Sequence, residues 1–283
     1  MKTCDLHTHS YYSDGEMSPK EVMKLAKQRG VKILALTDHN STKGVKEAIN
    51  EGRKLGIKVI PAIEVMAKED EVLGYFIDAN NKRFQNNLAD IRKRIESKIK
   101  KRCENMQKKG FPASFHEIKK RFPHAKGNID DFYPYYMLIL KGYGKTFRDI
   151  GILMKQTGVK KARGKDLSIA KVIRMIKNAG GVPVLAHPWA DDKSKRLLQD
   201  KNFRKLVKAG LKGIEVDNGN GDGRRNAKIV SKIKRLAKKY NLITTSGSDF
   251  HGEDLADAKA HVLGKYNCDE KIVRQLEALA GRT

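Results

Sequence analysis

The spacing of apolar residues changes period repeatedly along the chain, and these changes predict an α/β fold. Short apolar runs of strand length alternate with longer stretches in which apolar residues recur every three or four positions. Runs that are apolar on both faces are typical of buried parallel strands. The predicted strands cover 31–36, 57–63, 72–77, 182–186, 213–217 and 242–246. The predicted helices cover 18–29, 42–55, 168–178, 203–209, 225–240 and 270–279.

The alternation stops between residues 82 and 165, where the pattern is polar and helical. This segment contains 23 Lys and Arg against 7 Asp and Glu, a net charge of +16. We therefore predict a barrel made of residues 1–81 and 166–283, interrupted by a basic helical insertion at 82–165. A cap over an active site, a nucleic-acid-binding surface and a solvated helical bundle all remain open for the insertion. Its predicted helices cover about 84–109, 114–121, 135–140 and 147–155.

The formal net charge of the whole chain is +26. Such a charge attracts polyanions, among them nucleic acid and nucleotides, although a solvated lysine-rich surface explains it equally well. No apolar run approaches the roughly 20 residues that a membrane helix needs, and the first residues lack the apolar core of a signal peptide. We therefore expect a cytoplasmic protein with no membrane contact and no obligate protein partner.

Two histidines stand two positions apart near the beginning of the chain. Side chains at such positions of an extended strand point the same way, so His7 and His9 can face one point. Asp14 follows after a polar turn, which can bring a carboxylate to the same place. Imidazole and carboxylate together suit Zn²⁺, Mn²⁺ or Fe²⁺. The spacing therefore indicates a metal site, weakly by itself and more strongly with the rest of the chain.

Further ionisable side chains stand where the predicted strands end. The carboxyl ends of parallel barrel strands share one face, which is where such folds build active sites. Burying so many charges without metal ions would cost several kcal/mol each. The set also has more ligands than one ion uses, so we predict two or three divalent ions. These strand-end residues are Asp38, His39, Glu64, His187, Glu215, Asp217, Asp249 and His251. The histidines outside the pattern, interpreted as ordinary surface or packing residues, are His116, His124 and His261.

Several of these residues belong to motifs that resemble a known family. The motifs are DLHTHSxxSDG at 5–15, LTDHN at 36–40, a strand-end glutamate, AHP at 186–188 and GSDFHG at 247–252. They resemble the PHP (polymerase and histidinol phosphatase) family. The stretch VLGYFID and the insertion are similar to its small bacterial nucleotide phosphatases and 5′-to-3′ exoribonucleases. The resemblance covers nearly the whole chain. It implies a distorted (β/α)7 TIM-like barrel with a helical insertion, and a trinuclear metal site that hydrolyses phosphoesters.

The resemblance also implies which residues hold the ions. One ion would be held by His7, His9, Glu64 and Asp249, a second by Glu64 and His187, and a third by Asp14, His39 and His251. Asp38 would orient a histidine ring from outside the ligand set.

One histidine that the family usually supplies from the insertion is missing here. Residues 127–133 read Gly-Asn-Ile-Asp-Asp-Phe-Tyr, with Tyr133 near the expected position. Asp130 or Asp131 could substitute as an oxygen ligand, or the second ion could be weak or absent. The number of ions is therefore left at two or three.

The resemblance and the basic insertion together predict a metal-dependent phosphoesterase. Clustered divalent ions lower the pKa of a bound water and stabilise charge on phosphoryl oxygens. A metal-bound hydroxide would then attack phosphate esters of nucleotides or of nucleic-acid 5′ ends, with Arg163 and Lys165 contacting the phosphate. Two alternatives stay open. One is a phosphatase for a small metabolite of the histidinol phosphate type, and the other is a metal- and nucleic-acid-binding module with little catalysis.

Overall fold

The computed structural model describes residues 3–122, 133–160, 166–189, 192–217, 227–253, 261–266 and 269–282. Among these residues, no helix combines the length and the apolar character required to cross a membrane. The expected cytoplasmic location stays a prediction.

A seven-stranded sheet organises the described chain, and its strands are neighbours in sequence order. The first three strands are mutually parallel, as are the last three, whereas the fourth runs antiparallel to both of its neighbours. The strands are β1 Thr3–Thr8, β2 Val31–Leu36, β3 Lys58–Met66, β4 Glu71–Tyr75, β5 Val182–Leu185, β6 Gly213–Asp217 and β7 Ile243–Ser246.

The two edges of this sheet meet beside the first strand. The amide of Asp249 donates to the carbonyl of His7, and the amide of His9 donates to the carbonyl of Phe250, each over 2.8 Å. The chain after β7 therefore pairs in parallel with the end of β1. With helices between its strands, the curled sheet forms the distorted (β/α)7 TIM-like barrel that was predicted.

The direction of β4 corrects the expectation of uniformly parallel strands. Only residues 67–70 separate β3 from β4, and the Ala67 amide donates to the Asp70 carbonyl over 2.9 Å. A parallel connection needs a dozen or more residues, so a tight turn can only join antiparallel strands. As a result, the amino end of β4 lies at the same sheet edge as the carboxyl ends of the other strands.

The helices follow the predicted pattern, with one short addition at Asp192–Leu197. The first helix begins as its sequence indicates, because Ser18 and Glu21 form a reciprocal capping box. The helices are α1 Pro19–Gln28, α2 Val45–Leu55, α3 Lys82–Gln107, α4 Phe115–Arg121, α5 Tyr133–Leu140, α6 Phe147–Gln156, α7 Ile169–Asn178, α8 Asp192–Leu197, α9 Asp200–Ala209, α10 Ala227–Lys239 and α11 Glu270–Leu279.

The chain divides into two compact units. One consists of residues 1–87 and 167–283 and contains the sheet, while the other consists of residues 88–166. The described elements of the second unit are helical, namely most of α3 together with α4, α5 and α6. The assignment of 82–165 as an insertion or cap stays a prediction.

Both faces of the sheet are buried, which explains the apolar runs in the sequence. In β2, Ile33 and Ala35 belong to the core cluster inside the sheet. Leu34 and Leu36 point to the opposite face, where they pack in a cluster with Val22 of α1. Successive strand residues point to opposite faces, so a strand buried on both sides must be apolar at nearly every position.

We predict that Gly247→Ala destabilises the fold. A Cβ at this position, directly after β7, would overlap the backbone nitrogen and the Cβ of His7. Overpacking of this kind costs about 1–3 kcal/mol, and backbone atoms cannot turn away as a side chain can. The free energy of unfolding, measured in urea by circular dichroism, should decrease accordingly.

The matched control for this prediction is Gly151→Ala in helix α6. A Cβ at Gly151 would meet nothing within 4 Å, and Ala is the better helix former by about 1 kcal/mol. This variant should unfold at an equal or higher urea concentration than the wild type. Equal losses of stability in the two variants would contradict the packing argument.

Candidate metal centre

The structure brings all eight predicted ligand residues to one edge of the sheet. The edge is formed by the carboxyl ends of β1, β2, β3, β5 and β7 and by the loops that follow them. Most of these side chains are buried or nearly so. The residues are His7, His9, Asp14, His39, Glu64, His187, Asp249 and His251.

A first group of donor atoms surrounds the end of β1. One donor atom from each of His7, His9, Glu64 and Asp249 lies within 4.8 Å of every other. The Nε2 atom of His7 is 3.0 Å from Glu64 Oε2 and 3.2 Å from Asp249 Oδ1. Asp249 has a φ of 55°, a left-handed conformation that is uncommon outside glycine. This strained backbone conformation occurs at the residue whose carboxylate lies 3.2 Å from a ring nitrogen of His7 and of His9.

A second group forms around the loop after β1. The donor atoms of His9, Asp14, His39 and His251 also lie within 4.8 Å of one another. Asp14 stands between two rings, with Oδ2 at 3.5 Å from His39 Nε2 and Oδ1 at 3.4 Å from His251 Nε2. The polar turn expected to return Asp14 to the histidines therefore does so.

A third group includes Glu71, a residue that the sequence interpretation missed. The donor atoms of His39, Glu64 and Glu71 meet the same 4.8 Å criterion. The Nε2 atom of His187 lies 3.0 Å from Glu64 Oε1 and 3.4 Å from Glu71 Oε2. Glu71 is the first residue of β4, and only the antiparallel direction of β4 brings it to this edge. The one indication of Glu71 in the sequence is that an acidic residue stands directly before an apolar strand.

Two of the histidine rings are held in a defined orientation by oxygens that are not among the donor atoms of the three groups. The Nδ1 atom of His7 is 3.0 Å from the buried carboxylate of Glu215, which also accepts a hydrogen bond from the His187 amide. The Nδ1 atom of His251 lies 2.7 Å from the carbonyl oxygen of Asp249. A hydrogen bond at one ring nitrogen fixes which nitrogen faces the site. Both rings therefore present Nε2 to the cluster.

The carboxylate of Asp38 lies beside the cluster and is bonded to the loop that follows β1. Its carboxylate accepts hydrogen bonds from the Ser10 amide at 2.7 Å and from the hydroxyls of Ser10 and Ser13. Burial raises the pKa of Asp38 to about 7, with the negative charge of Asp14 adding to the shift. Asp38 thus fixes the loop that carries Asp14, and its predicted role in orienting a histidine ring stays a prediction.

Burial and the neighbouring imidazole rings shift the pKa values of the cluster's carboxylates in opposite directions. Burial would raise the pKa of Glu64, but the positive charges of His7 and His39 outweigh it and hold that pKa well below its usual range. Burial raises the pKa of Glu71, and the nearby Glu64 carboxylate raises it further. In the metal-free protein, protons on imidazoles therefore balance part of the carboxylate charge.

The donor atoms of the cluster are of the types that bind divalent cations. The surroundings of His9 show this most clearly. Both of its ring nitrogens are buried without hydrogen-bond geometry to any described residue. Its Nε2 nevertheless lies 3.2 Å from Asp249 Oδ1 and 3.3 Å from Glu64 Oε2. Buried polar atoms that lack a partner cost about 1–3 kcal/mol, and coordination of a cation would remove that cost. Burial and the charges of His251 and His39 lower the pKa of His9, which favours the neutral ring that binds metals.

Several predicted residues lie elsewhere or outside the described chain. Arg163, Lys165 and residues 128–132 are outside the described residues. Tyr133, proposed to stand near the missing histidine, is buried at the start of α5 with its ring centroid 4.8 Å from that of Phe122. His261, interpreted as an ordinary surface or packing residue, borders the cluster, with Nδ1 at 3.9 Å from Asp249 Oδ2.

Known proteins are similar to this chain in sequence and in fold. A phosphoribosyl 1,2-cyclic phosphate 1,2-diphosphodiesterase of Eggerthella lenta is 32% identical over 88% of this chain and 94% of its own. A 5′-3′ exoribonuclease of Haemophilus influenzae is 28% identical over 88% of this chain and 90% of its own. A solved structure from Bifidobacterium adolescentis has a TM-score of 0.85 at 24% identity, covering 98% of this chain and 96% of that one. That structure shows a shared fold.

The family itself is identified by a sequence model. The model of the PHP domain matches residues 5–150, which is more than half of the chain and includes His7, Asp14, His39 and Glu64. Together with the diphosphodiesterase relative, this match shows that the chain belongs to the PHP domain family.

Proposed function

We propose that the chain is a metal-dependent phosphoesterase that hydrolyses phosphate esters of nucleotides or of nucleic-acid 5′ ends. The observation that carries this proposal is the presence of three groups of donor atoms that overlap at His9, His39 and Glu64. Overlapping donor groups suit several cations held close together, an arrangement that recurs in enzymes acting on phosphates.

Each of three divalent ions would be held by donors drawn mainly from one of these groups, with His187 added beside Glu64 and Glu71. The first would be held by His7, His9, Glu64 and Asp249, the second by Glu64, His187 and Glu71, and the third by Asp14, His39 and His251. Mixed imidazole and carboxylate donors are compatible with Mn²⁺, Fe²⁺ or Zn²⁺. Divalent ions bound in such a cluster activate water and neutralise charge on phosphoryl oxygens.

The remaining residues of the site hold the donor side chains in place. Glu215 holds the ring of His7, and the Asp249 carbonyl holds the ring of His251. Asp38 anchors the serine loop that positions Asp14. These outer contacts limit the freedom of the ligands before any ion binds, which lowers the cost of assembling the site.

Two observations support a nucleotide or nucleic-acid substrate. The segment 82–165 carries a net charge of +16, with 23 basic and 7 acidic residues, which favours a polyanion. The relative from Haemophilus influenzae is a 5′-3′ exoribonuclease whose similarity spans nearly the whole of both chains. Arg163 and Lys165 remain our candidates for contact with the substrate phosphate.

A second candidate substrate is a small sugar phosphate. The diphosphodiesterase of Eggerthella lenta, 32% identical, acts on a phosphoribosyl 1,2-cyclic phosphate. Both candidates require the same metal chemistry and differ in the size and charge of the substrate. A direct comparison of substrates therefore separates them.

We predict Mn²⁺-dependent turnover of 5′-phosphorylated oligonucleotides and nucleoside bisphosphates. Released phosphate or nucleotide would be measured with Mn²⁺ and with chelator, on a panel that includes phosphoribosyl 1,2-cyclic phosphate. Asp249→Ala should lower kcat/KM by roughly a hundredfold or more, because even outer partners of metal ligands contribute 10–100-fold. The control is His116→Ala, an exposed residue of α4. Undiminished turnover in chelator would refute the metal requirement, and turnover of the cyclic phosphate alone would favour the second candidate.

Glu71 gives the site a prediction of its own. Carboxylate oxygens favour Mn²⁺ relative to Zn²⁺, whereas imidazole nitrogens favour Zn²⁺. Glu71→Ala should lower the number of Mn²⁺ ions retained after dialysis by about one, and Glu71→His should move metal preference towards Zn²⁺. Metal content would be measured by mass spectrometry, with exposed Glu104→Ala as the control. Unchanged metal content in both Glu71 variants would remove this residue from the ligand set.

Metal affinity should increase with pH. Burial alone would lower the pKa of His251, but the carboxylates of Asp14 and Asp249 raise it to about 10. The ring is therefore protonated at neutral pH in the metal-free protein, and an ion must displace that proton. Below this pKa, each displaced proton makes the apparent Kd about tenfold smaller per unit of rising pH.

Titration calorimetry between pH 6 and pH 8, in buffers of different ionisation enthalpy, measures this proton release. His251→Gln should release about one proton fewer and flatten the pH dependence. An affinity that does not change over this range would contradict the role of the protonated ring.

A further inference from the structure

The helical unit formed by residues 88–166 contains a groove that the catalytic proposal does not use. It lies between α3, α5, α6 and the residues that follow α6, and its volume is about 430 Å³. Ligand pockets generally have volumes of roughly 300–1,000 Å³, so a nucleotide-sized group can enter. The side chains that define it are Arg102, Met106, Tyr135, Met154, Lys155 and Lys160.

The floor of this groove is apolar and its wall is aromatic. Met106 and Met154 are buried there. The ring of Tyr135 forms part of the wall, and the Arg102 guanidinium carbon lies 5.4 Å from the centroid of that ring. A Cβ at Gly151 would meet nothing within 4 Å, so this side of the groove is open. Such a surface offers apolar and aromatic contacts to a flat ring.

The rim of the groove is positively charged. Arg102, Lys155 and Lys160 contribute cations, and none of the described lining residues is acidic. The backbone carbonyl of Lys160 accepts a 2.9 Å hydrogen bond from the Asn105 side chain, which ties this rim segment to α3. Lys155 and Lys160 are both exposed. Three cations beside an aromatic ring form the combination that proteins use for single-stranded nucleic acids.

We propose that this groove binds single-stranded nucleic acid, with a base against Tyr135 and the methionines and with adjacent phosphates at Arg102, Lys155 and Lys160. The proposal rests on the proposed function, because it names the class of substrate that the phosphoesterase engages beyond its reacting phosphate. The carboxylate side chains of an acidic peptide would satisfy the lysines but carry no aromatic ring for Tyr135 and the thioethers. A nucleic acid supplies an anion and an aromatic base in every nucleotide, so it is the better match.

The test measures binding separately from catalysis. A fluorescent, 5′-phosphorylated single-stranded RNA of about ten nucleotides would be titrated with the full-length protein in chelator, and anisotropy followed. Lys155→Ala combined with Lys160→Ala should weaken binding and reduce the slope of log K against log salt by about 1.4, since each phosphate contact contributes about 0.7 for single strands. Tyr135→Leu should weaken binding roughly fivefold to hundredfold through lost stacking, with little change in the salt slope.

The matched control removes the same charge from the same unit outside the groove. Lys120 and Lys145 are exposed and do not line it, so Lys120→Ala combined with Lys145→Ala should bind the RNA nearly as the wild type does. Equal losses of RNA affinity in the control and in the groove variant would overturn the proposal. The positive charge would then attract RNA without a defined binding site. Displacement of the RNA by an acidic peptide that binds the Tyr135→Leu variant equally well would also overturn it.

Measurements of hydrolysis distinguish the proposed groove from the proposed phosphoesterase activity. With Mn²⁺, the groove variants should show a raised KM for the oligonucleotide, while kcat/KM for a nucleoside bisphosphate stays at the wild-type value. RNA binding that depends on the groove, in a protein without any turnover, would support the groove and refute the proposed enzyme. Turnover of oligonucleotides with a KM that the groove variants do not change would overturn the groove and leave the enzyme supported.

Discussion

The buried carboxylate of Glu64 is the constraint on which the rest of the structure depends. Ring nitrogens of His7, His9, His39 and His187 lie 3.0–3.3 Å from its two oxygens. A carboxylate removed from water is costly unless charge and hydrogen bonds compensate for it. The compensating rings belong to β1, β2, β5 and the residues that follow them, so this balance exists only after the sheet has curled. A fold that separated these strands would leave an uncompensated charge in its interior.

The antiparallel fourth strand changes the chemistry of this centre. A turn of four residues reverses the chain after β3 and places Glu71 beside the rings of His39 and His187. Two carboxylates then share one group of donors, and burial together with their mutual repulsion raises the pKa of Glu71. A cation relieves that repulsion more effectively than a proton on either imidazole. A local feature of connectivity thus determines the balance of oxygen and nitrogen donors.

The candidate sites of the two units differ in their chemistry. The unit with the sheet gathers carboxylates and imidazoles that suit cations, whereas residues 88–166 gather lysines and arginines that suit anions. A high net charge alone would not distinguish a binding surface from a solvated one. The groove does distinguish them, because it combines cations with the aromatic face of Tyr135 and with buried methionines. Local chemistry, more than the total charge, supports a nucleic-acid ligand.

The sequence by itself determined most strands and helices and most of the histidines and carboxylates that meet at the sheet edge. Burial on both faces forces a continuous apolar run, so β2 and β5 were predicted nearly residue for residue, and His7 and His9 were identified by the period of an extended strand. Strand direction, however, depends on the length of a turn and on pairing with distant strands, so the orientation of β4 and the place of Glu71 were missed. The partners of Asp38 and Glu215 were likewise decided by tertiary structure, because a buried carboxylate bonds to whichever donors the folded chain brings within reach.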